Sequence, residues 1–243
     1  MRLTRVYLDA PLTAGARVTL EGSAASHVTR VLRLRVGEAL TLFNGSGGEY
    51  AASIARAQGG SVTVEVGEPR AIERESPLSV TLAQGVSRGE RMDLVVQKAT
   101  ELGVSGVVPV LTQRSVVRLT AQQADRKLNH WRAIAIAACE QSGRNRLPLV
   151  APAAALKDFL REGSDGSTRL LLSGAAAARI EDMPRPVARV TVLIGPEGGL
   201  TQAEQQAAAA AGFTPVRLGP RVLRTETAAI AALTLLQREF GDL

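Results

Sequence analysis

The chain has 243 residues, 45% of them hydrophobic and 21% charged, with a formal net charge of +6. That is enough apolar material for one large core or two smaller ones, and it excludes a chain disordered throughout. A single cysteine and two histidines exclude an internal disulfide and an ordinary zinc site, so no metal is expected. No apolar run is long enough to span a bilayer and no secretory leader is visible, so a cytoplasmic protein without a membrane partner is expected.

Residues 1–68 read as mostly β. RVTLEG, EALTLFNG, GEYAASIARA and SVTVEVGEP alternate or run apolar over strand lengths. Asn44-Gly45-Ser46-Gly47-Gly48 is a hairpin signal. One short helix is expected from about Ala24 to Leu34, with Val28, Val31, Leu32 and Leu34 on its apolar side. Short strands around one helix predict a small barrel of the kind that often binds RNA. Residues 69–77, PRAIERESP, are polar and bounded by prolines, so the expected division is a domain over 1–70, a linker over 71–77 and a second domain over 78–243.

Beyond the linker, strand and helix signals alternate. LSVTLAQGV is a strand, GERMDLVVQKATELG a helix stopped by Gly103, and GVVPVLT a strand. DRKLNHWRAIAIAACEQSG is a helix stopped by Gly143. A strand near LPLVAP, a short helix ending near Glu162, and strands TRLLLS and VTVLIG follow. Thr201-Gln202-Ala203-Glu204 is a capping box that starts another helix, ended by Gly212. FTPVRLG is a strand, and Thr225 to Phe240 forms the last helix. This order predicts an α/β domain with a mostly parallel sheet and helices on both faces.

The positive charge is uneven. Residues 88–146 carry ten Lys/Arg against five Asp/Glu, whereas residues 147–243 carry ten of each. Only Lys98, Lys127 and Lys157 are lysines, and the arginine-rich balance suits bidentate phosphate contacts. A genome biased toward Ala, Arg and Gly codons is the alternative source of that excess.

Two glycine-punctuated segments carry the chemistry: IGPEGGL, Ile194 to Leu200, and LGPRVLRTETAA, Leu218 to Ala229. Each follows an apolar run and leads into a helix, which is how α/β proteins build small-ligand sites. There is no G-x-x-x-x-G-K-[ST], no G-x-G-x-x-G opening a helix and no G-x-S-x-G, which weighs against a P-loop, an ordinary dinucleotide fold and a serine hydrolase. His27 and His130 lie outside both loops, and Cys139 sits in an apolar stretch as a small core residue. Gly195-Pro196-Glu197-Gly198-Gly199 lets backbone N–H and C=O groups approach a ligand, and Glu197 adds a carboxylate. The second loop presents Arg221, Arg224, Thr225 and Glu226 beside the apolar edges of Leu218 and Leu223. Such edges suit an aromatic base and a thioether or sulfonium; the alternative is that both turns only close the fold and Thr225 and Glu226 only cap the last helix.

Together, IGPEGGLTQAE and LGPRVLRTETAAIAAL resemble the C-terminal signature of the RsmE family of SPOUT-class methyltransferases. The similarity continues through RMDLVVQKATELGVSGVVPVLTQRSVV (91–117) and WRAIAIAACEQSGRNRLP (131–148). HVTRVLRLRVGEALTLFNGSGGEY (27–50) resembles the family's PUA-like RNA-binding domain. One departure is Ser173-Gly174-Ala175 at the end of TRLLLS, where an acidic residue near Ser173 would be expected.

The resemblance implies a SPOUT-type fold with a C-terminal trefoil knot, preceded by a small PUA-like β-barrel. It also implies a homodimer that uses S-adenosyl-L-methionine to methylate N3 of one uridine, uridine 1498, in 16S rRNA of the small ribosomal subunit. The cofactor would contact Leu172, Ile194, Gly195, Pro196, Glu197, Gly198, Gly199, Leu218, Gly219, Leu223, Arg224 and Thr225. Catalytic positions would be Arg144, Glu197 and Arg224: arginines to stabilise the uracil anion or hold phosphate, and Glu197 or Glu226 to accept the N3 proton. Arg2, Arg5, Arg30, Arg33 and Arg35 would meet RNA phosphates, with Arg114, Arg118 and Arg132 extending the track. The residues leave open a non-catalytic RNA-binding assembly protein, a methyltransferase for another RNA position, and a metabolic enzyme with a nucleotide cofactor.

Overall fold

The computed structural model describes residues 4–115, 120–163, 166–185 and 187–243. The chain forms two compact units. One comprises residues up to Glu75 together with Cys139–Leu147; the other comprises Ser76–Ala138 and Pro148–Leu243.

The first unit holds β1 (Arg5–Tyr7), β2 (Arg17–Leu20), α1 (Gly22–Ser26), β3 (Ala39–Phe43), β4 (Glu49–Gln58) and β5 (Ser61–Arg70). Its strand order is β1-β3-β4-β5-β2, a curled half-barrel with β1 and β2 at the two ends. Alternation sets the inner face: Val62, Val64 and Val66 of β5 are buried, as are Leu40 and Leu42 of β3. The β4–β5 hairpin turns through Gly59 and Gly60, both at positive φ, as a tight primed turn requires. The Asn44–Gly48 signal does join β3 to β4 as an antiparallel pair. The single helix expected from Ala24 to Leu34 is instead the short α1 followed by a π-helical turn, His27–Val31.

Residues 139–147 are pinned into this unit by polar contacts. The Asn145 carbonyl accepts from Gly47 N–H at 3.1 Å. Asn145 Nδ2 donates to the Ile72 carbonyl at 2.6 Å, and Arg74 Nη1 donates to the Gly143 carbonyl at 2.9 Å.

The second unit contains β6 (Ser79–Gly85), α2 (Arg91–Glu101), β7 (Gly106–Leu111), α3 (Ala121–Ser142, which ends in the first unit), β8 (Leu149–Val150), β9 (Ala154–Ala155) and α4 (Leu156–Arg161). It continues with β10 (Thr168–Leu172), β11 (Arg189–Ile194), α5 (Gln202–Ala210), β12 (Thr214–Val216) and α6 (Thr225–Phe240). The sheet runs β12-β10-β11-β6-β7-β8, with β9 also beside β7, and every pairing is parallel. Both faces are buried, so the strands read as nearly continuous apolar runs. Val190, Val192 and Ile194 of β11 join a core with α2, α3 and α6, while Leu193 points to a second core with Leu156, Leu200, Ala208 and Phe213.

Helix α6 packs on β6 and β11 and is also touched by a 3-10 turn, Ile180–Asp182, in the β10–β11 crossover. Arg185 of that crossover pairs with Glu239 of α6 at 2.9 Å. The last helix therefore contacts both the sheet and the described part of the crossover.

Candidate active site

Parallel α/β sheets place ligand sites beyond the carboxyl ends of their strands. A cavity of about 690 Å³ opens there, lined by the loops after β10, β11 and β12 and by the first turns of α2 and α6. Its floor is apolar: Leu172, Ile194, Leu218 and Leu223 all contribute. Of the expected cofactor residues, all but Gly198 line it. Gly198 lies behind, its carbonyl accepting from Arg114 Nη1 at 3.0 Å. Ser173 and Gly174 stand at the rim where an acidic residue was expected.

The IGPEGG loop is held by close backbone packing. A Cβ on Gly85, the last residue of β6, would fall 2.3 Å from Pro196 N, so the two segments touch main chain to main chain. Gly199 N–H closes the turn onto the Pro196 carbonyl at 2.8 Å. Thr225 Oγ1 donates to the Gly195 carbonyl at 2.7 Å and accepts from Gln84 Nε2 at 2.9 Å. Gln84 is fully buried, and its Oε1 has no hydrogen-bond partner among the described residues.

The charged wall centres on Arg91. It donates to Glu197 Oε1 at 2.6 Å and lies 3.9 Å from Glu226 Oε1. Glu197 also accepts from Arg88 N–H at 3.0 Å. Partial burial works against the charged Glu197, but hydrogen bonds from its own N–H and that of Arg88, with the Arg91 guanidinium, outweigh it. The carboxyl is held below its usual range. The Glu226 Oε2 is buried and has no hydrogen-bond partner among the described residues. Arg224 is exposed at the cavity edge, at the N-cap of α6.

Two expected functional arginines are structural in their surroundings. Arg144 does not line the cavity. It is 4% exposed and its Nε donates to both Glu75 oxygens, at 3.1 and 3.2 Å. Arg5, expected at RNA, is buried: it pairs with Glu49, donates to the Arg144 carbonyl at 3.0 Å and stacks over Phe43 at 4.8 Å. At 8% exposure, with its Nη atoms engaged by Glu49, the Arg144 carbonyl and Asn145 and its Nε buried without a partner among the described residues, it does not present the exposed guanidinium that a phosphate contact was expected to need. Arg30, Arg33 and Arg35 are exposed, Arg33 at φ 54°. Arg132 is exposed on α3. Arg2 and Arg118 fall outside the described residues. Cys139 is fully buried, and burial pushes its thiol up to about 11, as befits a core residue.

Gln84, Arg91 and Arg217 went unassigned in the sequence, although Arg91 and Arg217 line the cavity and Gln84 anchors Thr225. Gln84 had one signal, an amide ending a strand that is otherwise apolar. Arg91 had none, because a basic residue in a helix's first turn is ordinarily a solvated one.

Fold and family matches together define an RNA methyltransferase with a parallel α/β sheet. The RNA methyltransferase domain family matches residues 74–237, and the RNA methyltransferase PUA domain family matches residues 20–67. Ribosomal RNA small subunit methyltransferase E of Buchnera aphidicola is 31% identical over 242 residues, covering 100% of this chain and 98% of that one. A crystal structure of the protein of that name from Neisseria gonorrhoeae, bound to S-adenosyl methionine, is 38% identical with a TM-score of 0.92 over 100% of both chains. A putative methyltransferase from Legionella pneumophila, in complex with the same cofactor, is 42% identical with a TM-score of 0.97, again over 100% of both chains. The chain belongs to the ribosomal RNA small subunit methyltransferase E family.

Proposed function

We propose that this protein transfers a methyl group from S-adenosylmethionine to N3 of uridine 1498 in 16S rRNA of the small ribosomal subunit, and works as a homodimer. The observation that carries this reading is the cavity at the three C-terminal loops, where the two glycine-rich segments meet over an apolar floor. Its size falls within the roughly 300–1,000 Å³ of small-molecule sites.

The residues present fit the cofactor. Apolar Leu172, Ile194, Leu218 and Leu223 suit an adenine ring and a thioether, and Gly195, Gly199 and Gly219 let a ligand approach the main chain closely. When bound, the cofactor supplies an electrophilic methyl group on sulfur. The protein's task is then alignment and charge. Thr225, tied to Gly195 and Gln84, fixes the two loops against each other. Arg224 stands exposed at the rim, where its guanidinium can stabilise the anion developing at a uracil oxygen. Glu197 holds Arg91 in place. N3 lies on the Watson–Crick edge, so the target base must be unstacked and unpaired to reach the cavity. Exposed Arg30, Arg33 and Arg35 supply phosphate contacts that position RNA without reading sequence.

Incubation with S-adenosylmethionine and small subunits lacking the modification, followed by nucleoside mass spectrometry, tests the reaction. The expected product is 3-methyluridine, mapped to uridine 1498 by nuclease fragments. A different methylated nucleoside would overturn the N3 assignment and keep the methyltransferase. Absence of both transfer and S-adenosylhomocysteine binding would leave a non-catalytic RNA-binding protein. Sedimentation velocity at micromolar concentration tests the dimer.

A further inference from the structure

We propose that Glu226, and not Glu197, is the group that takes the N3 proton from the target base. The inference rests on the methyl-transfer reading above and names the acid–base residue of the same site.

Both carboxylates line the cavity, and both flank Arg91, but their surroundings differ. Glu197 is already served: Arg88 N–H at 3.0 Å and Arg91 at 2.6 Å converge on one of its oxygens. Those donors stabilise the charged form and make it a poor acceptor for a further proton. Among the described residues Glu226 has only the more distant Arg91, 3.9 Å from Oε1, while Oε2 is buried with no donor. A buried carboxylate oxygen without a donor is costly, and Glu226 is the cavity-lining carboxylate that has one. A turn of this partly exposed side chain brings that oxygen to the N3–H of an unstacked uracil, which supplies the missing donor. The N-cap of α6 is the preceding rim residue, Arg224, so acceptor and anion-stabilising cation sit two positions apart at one helix start.

The step balances. The N3–H bond breaks and its proton goes to the Glu226 carboxylate. The N3 electron pair forms the new C–N bond, the C–S bond breaks, and its pair returns to sulfur. A carboxylate and a sulfonium give a carboxylic acid and a neutral thioether, with no other reactant needed.

The test compares wild type with E226Q, which keeps the side chain's size but cannot take the proton. Thermal melting and calorimetry with S-adenosylhomocysteine are run beside turnover on unmethylated small subunits. The expected result is an unchanged melting temperature, cofactor affinity within about twofold, and kcat lowered about 100-fold, the low end for a lost general base. Subunits carrying 5-fluorouridine, whose N3–H is more acidic, should shrink that deficit to below about tenfold, which a merely structural role would not do. Weakened S-adenosylhomocysteine binding with kcat preserved at saturation would overturn the proposal and make Glu226 a cofactor contact. An undiminished deficit on 5-fluorouridine, or full activity, would also overturn it. If wild type itself makes no 3-methyluridine, the reading of the whole site fails, and that result is separate from the choice between the two glutamates.

Discussion

Gln84 Nε2 donates to Thr225 Oγ1 at 2.9 Å, and the same hydroxyl donates onward to the Gly195 carbonyl at 2.7 Å. One hydroxyl thus ties the end of β6, the loop after β11 and the first residue of α6. Thr225→Val keeps the shape and removes the link. It leaves the Gly195 carbonyl and one Gln84 proton unserved, at a cost of about 1–3 kcal/mol. Calorimetry should find S-adenosylhomocysteine bound about tenfold more weakly; unchanged affinity would mean that the loops hold their positions without it.

Gly85 touches Pro196 at the main chain, and neither backbone has a flexible end to move aside. Gly85→Ala should therefore destabilise the fold by about 1–3 kcal/mol, the usual cost of overpacking, and reduce cofactor affinity with it. Gly174→Ala is the matched control. A Cβ there meets nothing within 4 Å, so its urea midpoint should equal wild type's. Equal midpoints for both variants would contradict the packing argument.

Glu197 carries a carboxyl held below its usual value: burial opposes its charge, but the N–H groups of Glu197 and Arg88 and the Arg91 guanidinium prevail. A depressed folded-state value contributes stability that is fully present above the unfolded carboxylate range near about 4.3. It is lost as pH falls through the lower folded value. The loop and its ligand affinity should therefore persist on acidification through the ordinary Glu range and decline only below it. In Glu197→Gln that acid limb should disappear from the affinity–pH curve, together with part of the neutral-pH affinity.

Arg33 and Arg35 are exposed in the first unit, whereas Arg5 is buried against Glu49. Reversing Arg33 or Arg35 to Glu should weaken RNA binding and flatten the log–log salt dependence by about 0.7–0.9 per lost phosphate contact, with cofactor affinity unchanged. Arg5→Glu should instead lower expression and melting temperature, because it leaves Glu49 facing a second carboxylate. Fluorescence anisotropy at several salt concentrations separates the two behaviours.

Cys139 is enclosed, with Sγ donating to the Arg146 carbonyl at 3.6 Å and its thiol pushed up to about 11 by burial. Native protein at pH 8 should resist maleimide labelling for hours and label promptly in denaturant. Fast labelling of the native form would place the thiol at a surface.

The sequence by itself determined the local elements and the two loops. The capping box at Thr201–Glu204 forms as its spacing requires, with Glu204 N–H donating to Thr201 Oγ1 at 3.2 Å. The last helix runs Thr225–Phe240 as the pattern placed it. Near-neighbour chemistry decides such features: a cap, a glycine at positive φ, a period of two or 3.6. The glycine loops were legible for the same reason, since backbone exposure needs residues without side chains. Only the tertiary structure decided the rest. It buried Arg5 against Glu49, drew residues 139–147 into the first unit and set α6 against β6 and β11. It also gave Glu197 three donors while leaving one oxygen of Glu226 with none among the described residues. An exposed arginine and a buried one look alike in a sequence, and so do a paired carboxylate and an orphaned one. Their roles are set by partners up to some 140 positions away in the chain, as Arg5 and Asn145 illustrate, and no local pattern encodes which distant groups will meet.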